Sequence, residues 1–143
     1  MTMKDLLSST EKKSLSRLLA SYPQIVAGYI FGSRLKRRAN PGSDLDIGVI
    51  CFRKSKLSPI ELELKLEKVF TNFQLDLSLL DLNDDPFLLI QIINGQLIYQ
   101  KNLKERLELE NRILFLYEDY KILKKIDSYY LNQSFKKGVY AYK

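Results

Sequence analysis

The sequence predicts an α/β (α+β) protein, with a small mixed β-sheet flanked by helices and a long helix towards the C-terminus. Two observations lead to this class. Along residues 10–100, short apolar runs rich in β-branched and aromatic residues alternate with segments whose apolar residues recur at helical spacing. After Lys101, apolar residues from Leu109 to Ile126 recur every three or four positions, which predicts one long amphipathic helix.

The first 50 residues are predicted to form a helix and two strands. Leucines at helical spacing after Ser9 predict a helix that ends before Pro23. Residues 24–31 form a nearly continuous apolar run, which is typical of a buried strand. A basic and then turn-rich stretch, residues 34–43, leads to a second strand over residues 44–50.

A second helix is then predicted, and its start is marked by a Ser-x-x-Glu capping pattern with proline, residues 58–61. Residues 73–80 predict a third strand, and residues 85–94 a short apolar helix. Residues 96–100 predict a small closing strand. Residues 128–143, at the end of the chain, have a less regular pattern.

Composition restricts the possible functions and the organisation. The chain of 143 residues has the length of one domain, which we divide into a core (residues 1–100) and a helical extension (residues 101–143) that packs on the core or on a partner. The chain has no histidine, so histidine bases, Ser-His-Asp triads and histidine-containing zinc sites are excluded. Any catalysis must therefore use carboxylates.

Cysteine usage, charge and hydropathy indicate the environment. Cys51 is the single cysteine and lies within an apolar run, so we expect a core residue in a reducing compartment. The net charge of +6 favours anionic partners, but it does not distinguish nucleotides, nucleic acids and acidic proteins. No secretory segment or membrane span of about 20 apolar residues is recognisable, so the expected location is the cytoplasm.

A Gly-Ser pair, Gly32-Ser33, ends the first apolar strand. Glycine lets the backbone approach a ligand closely, and a helix start after it would offer N–H groups and a hydroxyl suited to phosphate. Taken alone, such a pair is usually only a turn. It becomes informative only in combination with acidic residues further along the chain.

Two aspartates, Asp44 and Asp46, are separated by one residue on the second predicted strand. Both carboxylates should project from the same face, about 6–7 Å apart, while Leu45 and Ile47 face the core. Like charges so arranged repel unless a cation neutralises them, and hard oxygen ligands suit Mg²⁺. An isolated Asp-x-Asp is nevertheless usually a solvated strand edge.

A third carboxylate, Asp76, lies within the apolar third strand, where a charge is costly unless it is paired or coordinated. Beside Asp44 and Asp46 it would complete a two-metal site. There it would bind the metal that activates an incoming hydroxyl, and it could accept the hydroxyl proton. The combination of all these features in this order favours a catalytic site over a structural coincidence.

The pattern of Gly32-Ser33, ten intervening residues and Asp44-x-Asp46 resembles the signature of the polymerase-β-type nucleotidyltransferase superfamily. Within that superfamily, the short chain and Leu75-Asp76-Leu77-Ser78 followed by Asp85-Pro86 resemble the minimal nucleotidyltransferases called MNT or MntA. Members of this family pair with HEPN ribonuclease toxins and act as antitoxins, some by transferring AMP from ATP to a tyrosine of the toxin.

The resemblance implies roles for the residues that match the motif. Gly32 and Ser33 would contact the triphosphate of ATP. Asp44 and Asp46 would bind two Mg²⁺ ions, and Asp76 would be the third metal ligand and the candidate base. All three aspartates would therefore be catalytic.

The resemblance also implies further nucleotide-binding residues in and beside the basic loop, which are Arg34, Lys36 and Ser43. The chain departs from the family at Arg37, where many relatives have a glycine after a basic residue. The loop is also more basic than usual. For Arg37 and Arg38 individually, a solvated basic loop is an equal alternative.

The function implied by the resemblance is that of an antitoxin that transfers AMP from Mg-ATP to a hydroxyl, expected to be a tyrosine, of a cognate HEPN toxin. A hetero-oligomer with the toxin is then expected. The absence of room for a separate substrate domain favours a protein acceptor. Two alternatives stay open: a non-catalytic antitoxin that acts by stoichiometric binding, and nucleotidyl transfer to a small molecule or RNA.

Six of the nine tyrosines follow residue 116 and are interleaved with lysines. Aromatic residues supply much of the binding energy in protein interfaces, so this region could bind a partner. A helix that packs its tyrosines on its own core explains the pattern equally well. Direct binding of nucleic acid is not expected, because no RNA-binding module is recognisable.

Overall fold

The computed structural model describes residues 8–32, 44–71 and 74–136, with side chains described as far as Gln133 in the last range. In chain order the elements are α1 (Ser9–Ala20), β1 (Ile25–Phe31), β2 (Asp44–Cys51), a 3-10 turn (Lys54–Lys56), α2 (Pro59–Val69), β3 (Gln74–Leu80), α3 (Pro86–Ile93), β4 (Gln96–Gln100) and α4 (Leu103–Lys136).

The described strands form one four-stranded mixed sheet in the order β3-β2-β1-β4. Strand β1 is antiparallel to both of its neighbours, β2 and β4. Strands β2 and β3 are parallel, and α2 is the crossover that parallel neighbours require. The small mixed sheet flanked by helices is confirmed.

Two hydrophobic clusters cover the two faces of the sheet. Leucines of α1 and α2 pack on one face, where β2 contributes Leu45, Ile47 and Val49. Residues of α3 and α4 pack on the other face, where β2 contributes Ile50. This alternation along β2 follows from the two-residue period of a strand, and it decides which face its aspartates occupy.

Side-chain caps start the first two helices. Ser8 and Glu11 form a reciprocal capping box at α1, with bonds of 3.1 and 3.0 Å. At α2 the Ser58 hydroxyl accepts from the Glu61 N–H at 3.3 Å, whereas the Glu61 carboxylate pairs with Lys65 at 2.9 Å. The predicted start of α2 is confirmed, although its capping residues form only half of the box.

The last helix, α4, is longer than the sequence pattern indicated. It continues through Lys136, so the expectation of an irregular segment from Ser128 is wrong for residues 128–136. Residues 103–136 include no glycine or proline, so no helix-breaking residue ends the helix where its apolar face leaves the core. Residues 137–143 lie outside the described part of the chain.

A polar network anchors α4 to the sheet. The Tyr29 hydroxyl on β1 donates to Glu110 at 2.8 Å. Arg106 donates to both Glu110 oxygens, at 3.0 and 3.1 Å, and its Nε donates to Gln100 of β4 at 2.6 Å. Burial and the bond to Glu110 raise the pKa of Tyr29 far above its ordinary value, which keeps its hydroxyl a donor.

Cys51 is a core residue, as expected from its apolar surroundings. Its Sγ donates to the Leu80 carbonyl oxygen at 3.4 Å, and burial raises the pKa of the thiol to about 11. In the described part of the chain, no helix combines the length and apolar character that a bilayer crossing requires.

Candidate active site

The candidate site lies where β2 emerges from beneath the helices. A Cβ on Gly48 would lie 2.6 Å from Cγ2 of Ile92, so α3 covers β2 tightly at this position. Two residues earlier Asp46 is half-buried, and two residues earlier again Asp44 is exposed. The first residues of β2 therefore form an open corner on the face that carries α3 and α4.

The register of β2 and β3 brings the aspartates together. Asp46 pairs with Asp76, and Asp44 pairs with Gln74. Paired residues of parallel strands project to the same face, and neighbouring strands are about 4.8 Å apart. Leu45 is fully buried in the opposite direction. Asp44, Asp46 and Asp76 therefore share one face and one corner of the sheet.

The structure changes the physical explanation for Asp76. Strand β3 is an edge strand, and Asp76 is exposed rather than buried among apolar neighbours. The expectation that Asp76 is buried at a cost in desolvation is therefore wrong, and it is not the reason to single out this residue. Its position directly beside Asp46 is the relevant observation.

Gly32 directly follows β1 and lies next to the same corner. Its φ of 89° lies in the region that side chains rarely adopt, and a Cβ at this position would overlap the carboxylate of Asp46. Two independent constraints thus favour glycine here. The backbone at the end of β1 lies directly against Asp46.

The remaining predicted nucleotide contacts lie in a segment outside the described residues. These residues are Ser33, Arg34, Lys36 and Ser43. Arg37, where the chain departs from the family pattern, lies in the same segment. Their roles stay predictions from the sequence.

The chemistry of the three aspartates fits a hard divalent cation. Within the described ranges, Asp44 and Asp76 form no ion pair with lysine or arginine, although like charges on one face repel each other. Carboxylate oxygens are the ligands that Mg²⁺ prefers. As the side chains stand, however, no described group of three or more acidic or cysteine residues is arranged to hold a metal. The donor types and the register fit, and side-chain rotation would have to complete the site.

A cavity of about 570 Å³ opens beside the aspartates on the β3 side. Its lining comes from the end of α2, the start of β2 and the start of β3, and consists of Asp44, Glu67, Phe70, Thr71, Gln74, Leu75 and Asp76.

The contribution of α2 to this cavity was not predicted from the sequence, where only the capping residues of that helix were interpreted. One signal could have revealed it. The helix ends at Val69 and the strand that carries Asp76 starts at Gln74, so the short connection must place the helix end beside the site.

Comparison with known protein families places the chain in a class. Residues 13–104 match the family model described as Polymerase beta, Nucleotidyltransferase. The chain therefore belongs to this nucleotidyltransferase family, which confirms the resemblance at the family level. A comparison with curated protein sequences finds no significant match.

Solved structures with the same fold include toxin–antitoxin complexes. The structure of a tri-AMPylated Shewanella oneidensis HEPN toxin in complex with MNT antitoxin contains a chain with 20% identity and a TM-score of 0.56, covering 88% of this chain and 97% of that one. A chain of the MntA-HepT toxin–antitoxin structure has 19% identity and a TM-score of 0.56, covering 90% and 99%.

A third structure, of a toxin–antitoxin with AMP-PNP, contains a chain with 22% identity and a TM-score of 0.55, covering 82% of this chain and 96% of that one. At these identities the three likenesses show the fold. They show that the nucleotidyltransferase fold of this chain also occurs in toxin–antitoxin complexes.

Proposed function

We propose that this chain is an antitoxin that transfers AMP from Mg-ATP to a hydroxyl, that of a tyrosine, in a cognate HEPN ribonuclease toxin and thereby neutralises it. The observation that carries the proposal is the register that sets Asp76 beside Asp46, with Asp44 on the same face. Family membership supports nucleotidyl transfer. The fold is shared with chains of a tri-AMPylated HEPN toxin in complex with MNT antitoxin, of the MntA-HepT toxin–antitoxin and of a toxin–antitoxin with AMP-PNP, which supports the choice of partner and nucleotide.

In this proposal Asp44 and Asp46 hold two Mg²⁺ ions, and Asp76 is the third ligand. Bound Mg²⁺ would neutralise phosphate charge and make the acceptor hydroxyl more acidic. The backbone at Gly32 approaches the triphosphate, and the missing side chain at this position favours that approach. The nucleotide would be contacted further by Ser33, Arg34, Lys36 and Ser43.

The reaction proposed at this corner is a substitution at the α-phosphorus of ATP. Asp76 accepts the proton of the acceptor hydroxyl, whose oxygen forms the new bond to the α-phosphorus. The bond between the α-phosphorus and the bridging oxygen breaks, and pyrophosphate leaves with the electron pair. Catalysis then consists mainly of positioning and charge neutralisation.

The exposed surface of the C-terminal helix supports the proposal of a protein partner. Tyr117 and Tyr120 pack edge-to-face against Phe87, with centroid distances of 5.4 and 4.9 Å, so these tyrosines stabilise the chain itself. Beyond them the large apolar side chains of α4 are exposed, and they are Ile122, Leu123, Ile126, Tyr129, Tyr130 and Leu131. Exposed apolar surface of this extent marks interaction sites. We propose residues 1–100 as the catalytic core and residues 101–143 as an extension that packs on the core and reaches the toxin.

The test is to incubate the chain with its cognate toxin, Mg²⁺ and ATP, and to measure the toxin by mass spectrometry. The expected result is an added AMP mass that is absent with Asp44→Ala or Asp46→Ala. A toxin without added mass that is still neutralised by both variants would establish the non-catalytic antitoxin instead. AMP found on a small molecule or RNA, and not on the toxin, would reassign the acceptor.

A further inference from the structure

We infer that the cavity beside Asp76 is the acceptor site. It binds a tyrosine side chain of the partner protein, and a cationic residue of the partner flanks that tyrosine. This inference rests on the proposed function and names its acceptor surface. The cavity of about 570 Å³ has a volume typical of ligand sites. It includes Glu67, Thr71 and Gln74, to which nothing else in the proposed reaction gives a role.

The order of the functional residues across the sheet indicates that the acceptor enters from the β3 side. Gly32 lies at the end of β1, Asp46 is next on β2, and Asp76 lies on the edge strand β3. In a phosphoryl-group substitution the attacking and leaving oxygens are roughly in line, on opposite sides of phosphorus. If the triphosphate lies against Gly32, pyrophosphate leaves on the β1 side and the acceptor must enter from the β3 side. The cavity opens there.

The walls of the cavity suit an aromatic side chain with a polar tip. Leu75 is half-buried and supplies apolar surface against which a ring can pack, whereas Phe70 is almost fully buried and contributes little exposed area. Thr71 and Gln74 are exposed and offer hydrogen-bonding groups at the rim. Asp76 supplies the carboxylate towards which a phenolic hydroxyl would point.

The charge of the lining distinguishes the acceptor from the nucleotide. Among the described lining residues none is cationic, so a triphosphate would find no countercharge in the cavity itself. Glu67 is exposed and forms no ion pair with any described lysine or arginine. It is therefore available to a cationic residue that flanks the acceptor tyrosine. A surface that binds RNA phosphates, as a ribonuclease must have, is rich in such residues.

The experiment measures binding directly and does not require AMP transfer. The ¹⁵N-labelled chain is titrated with two acetylated and amidated tripeptides, Lys-Tyr-Lys and Glu-Tyr-Glu, and amide shifts are followed by NMR. The expected result is saturable shifts at Thr71, Gln74 and Leu75 with Lys-Tyr-Lys, and weaker binding of Glu-Tyr-Glu. Glu67→Lys should reverse this preference, whereas Glu63→Lys, on the same helix but outside the cavity, should not.

A second pair of variants tests the acceptor site by filling the cavity with a large side chain. Thr71→Trp should fill it and abolish the Lys-Tyr-Lys shifts, while Lys68→Trp, in the last turn of α2 and outside the lining, should leave them unchanged. With the toxin as acceptor, Thr71→Trp should raise the KM for toxin without changing the affinity for Mg-ATP. Thermal unfolding of each variant checks that the fold is retained.

The outcomes separate this inference from the proposed function. Saturable peptide binding at these amides upholds the acceptor site even when no AMP reaches the toxin. The absence of peptide shifts overturns the inference, whether or not transfer occurs. Shifts at Thr71 and Gln74 produced by ATP in place of the peptide also overturn it, because they assign the cavity to the nucleotide.

Discussion

Asp46 of β2 and Asp76 of β3 are direct register partners in a parallel strand pair. This relationship depends on α2, which carries the chain back so that β3 runs beside β2 in the same direction. A shift of one residue in the register would turn Asp76 to the opposite face, where Leu45 is buried. The site is therefore a property of the topology as well as of the residue types.

The conformation of Gly32 leads to the first prediction. Gly32→Ala should cost about 1–3 kcal/mol of stability because a side chain is strained at its φ. Displacement of the overlapping Asp46 carboxylate should also lower AMP transfer by about 100-fold. Urea unfolding and the transfer assay measure the two effects.

Gly28→Ala is the matched control for this variant. It lies within β1, where the nearest neighbours of an added Cβ would be Leu19, at 3.3 Å from its Cδ1, Tyr99 and Ile98 rather than an aspartate. It should leave the affinity for Mg-ATP unchanged. Equal loss of ATP binding in both variants would contradict the local role of Gly32.

The anchor between Tyr29 and Glu110 leads to the second prediction. Tyr29→Phe removes the 2.8 Å bond from a buried hydroxyl and should lower the free energy of unfolding by about 1–2 kcal/mol. Tyr99→Phe, at a half-buried tyrosine whose hydroxyl has no described partner, should have a smaller effect. Denaturant unfolding of both variants measures the difference, and equal values would mean that the anchor does not contribute.

The thiol of Cys51 leads to a prediction on pH. Burial raises its pKa from an ordinary 9.0 to about 11, so the folded state retains a proton that the unfolded state loses. The resulting stability is present below pH 9 and is lost as the pH rises towards 11. The unfolding free energy of the wild type should therefore fall more steeply over this range than that of Cys51→Ala, which lacks the titrating group. Parallel curves would contradict this.

The exposed part of α4 leads to a prediction on toxin binding. Ile122→Asp or Ile126→Asp should weaken the complex about 10- to 30-fold, because each places a charge in an apolar interface. Leu64→Asp on α2 is the control, since Leu64 and Ile122 have nearly equal exposure, 56% and 55%. Isothermal titration calorimetry measures the affinities. Unchanged affinity in both α4 variants would show that this surface does not contact the toxin.

Local patterns were sufficient to predict much of the fold. Alternation along β2 correctly predicted that Leu45 and Ile47 are buried and that Asp44 and Asp46 share the other face. The start of α2 at Pro59 followed from its capping residue. These features depend on residues that are close together in the chain, so the spacing of residue types is enough to predict them.

Features that depend on tertiary structure could not be predicted in the same way. The exposure of Asp76 depends on β3 being an edge strand, which no local pattern indicates. The cavity formed with Glu67 and Thr71 requires α2 and β3 to be placed together in space. The extension of α4 beyond Ser128 was missed because its apolar period weakens once the helix leaves the core.

The most direct test of the central claim is a comparison of Asp76→Asn with the wild type in AMP transfer to the toxin and in Mg-dependent ATP binding. Asp76 is exposed at the edge of the sheet, so the substitution should leave the fold intact. We expect ATP binding within a few-fold of the wild type and a transfer rate lower by about 10²- to 10⁴-fold, because the acceptor hydroxyl loses its base. Transfer at the wild-type rate by Asp76→Asn would contradict this expectation.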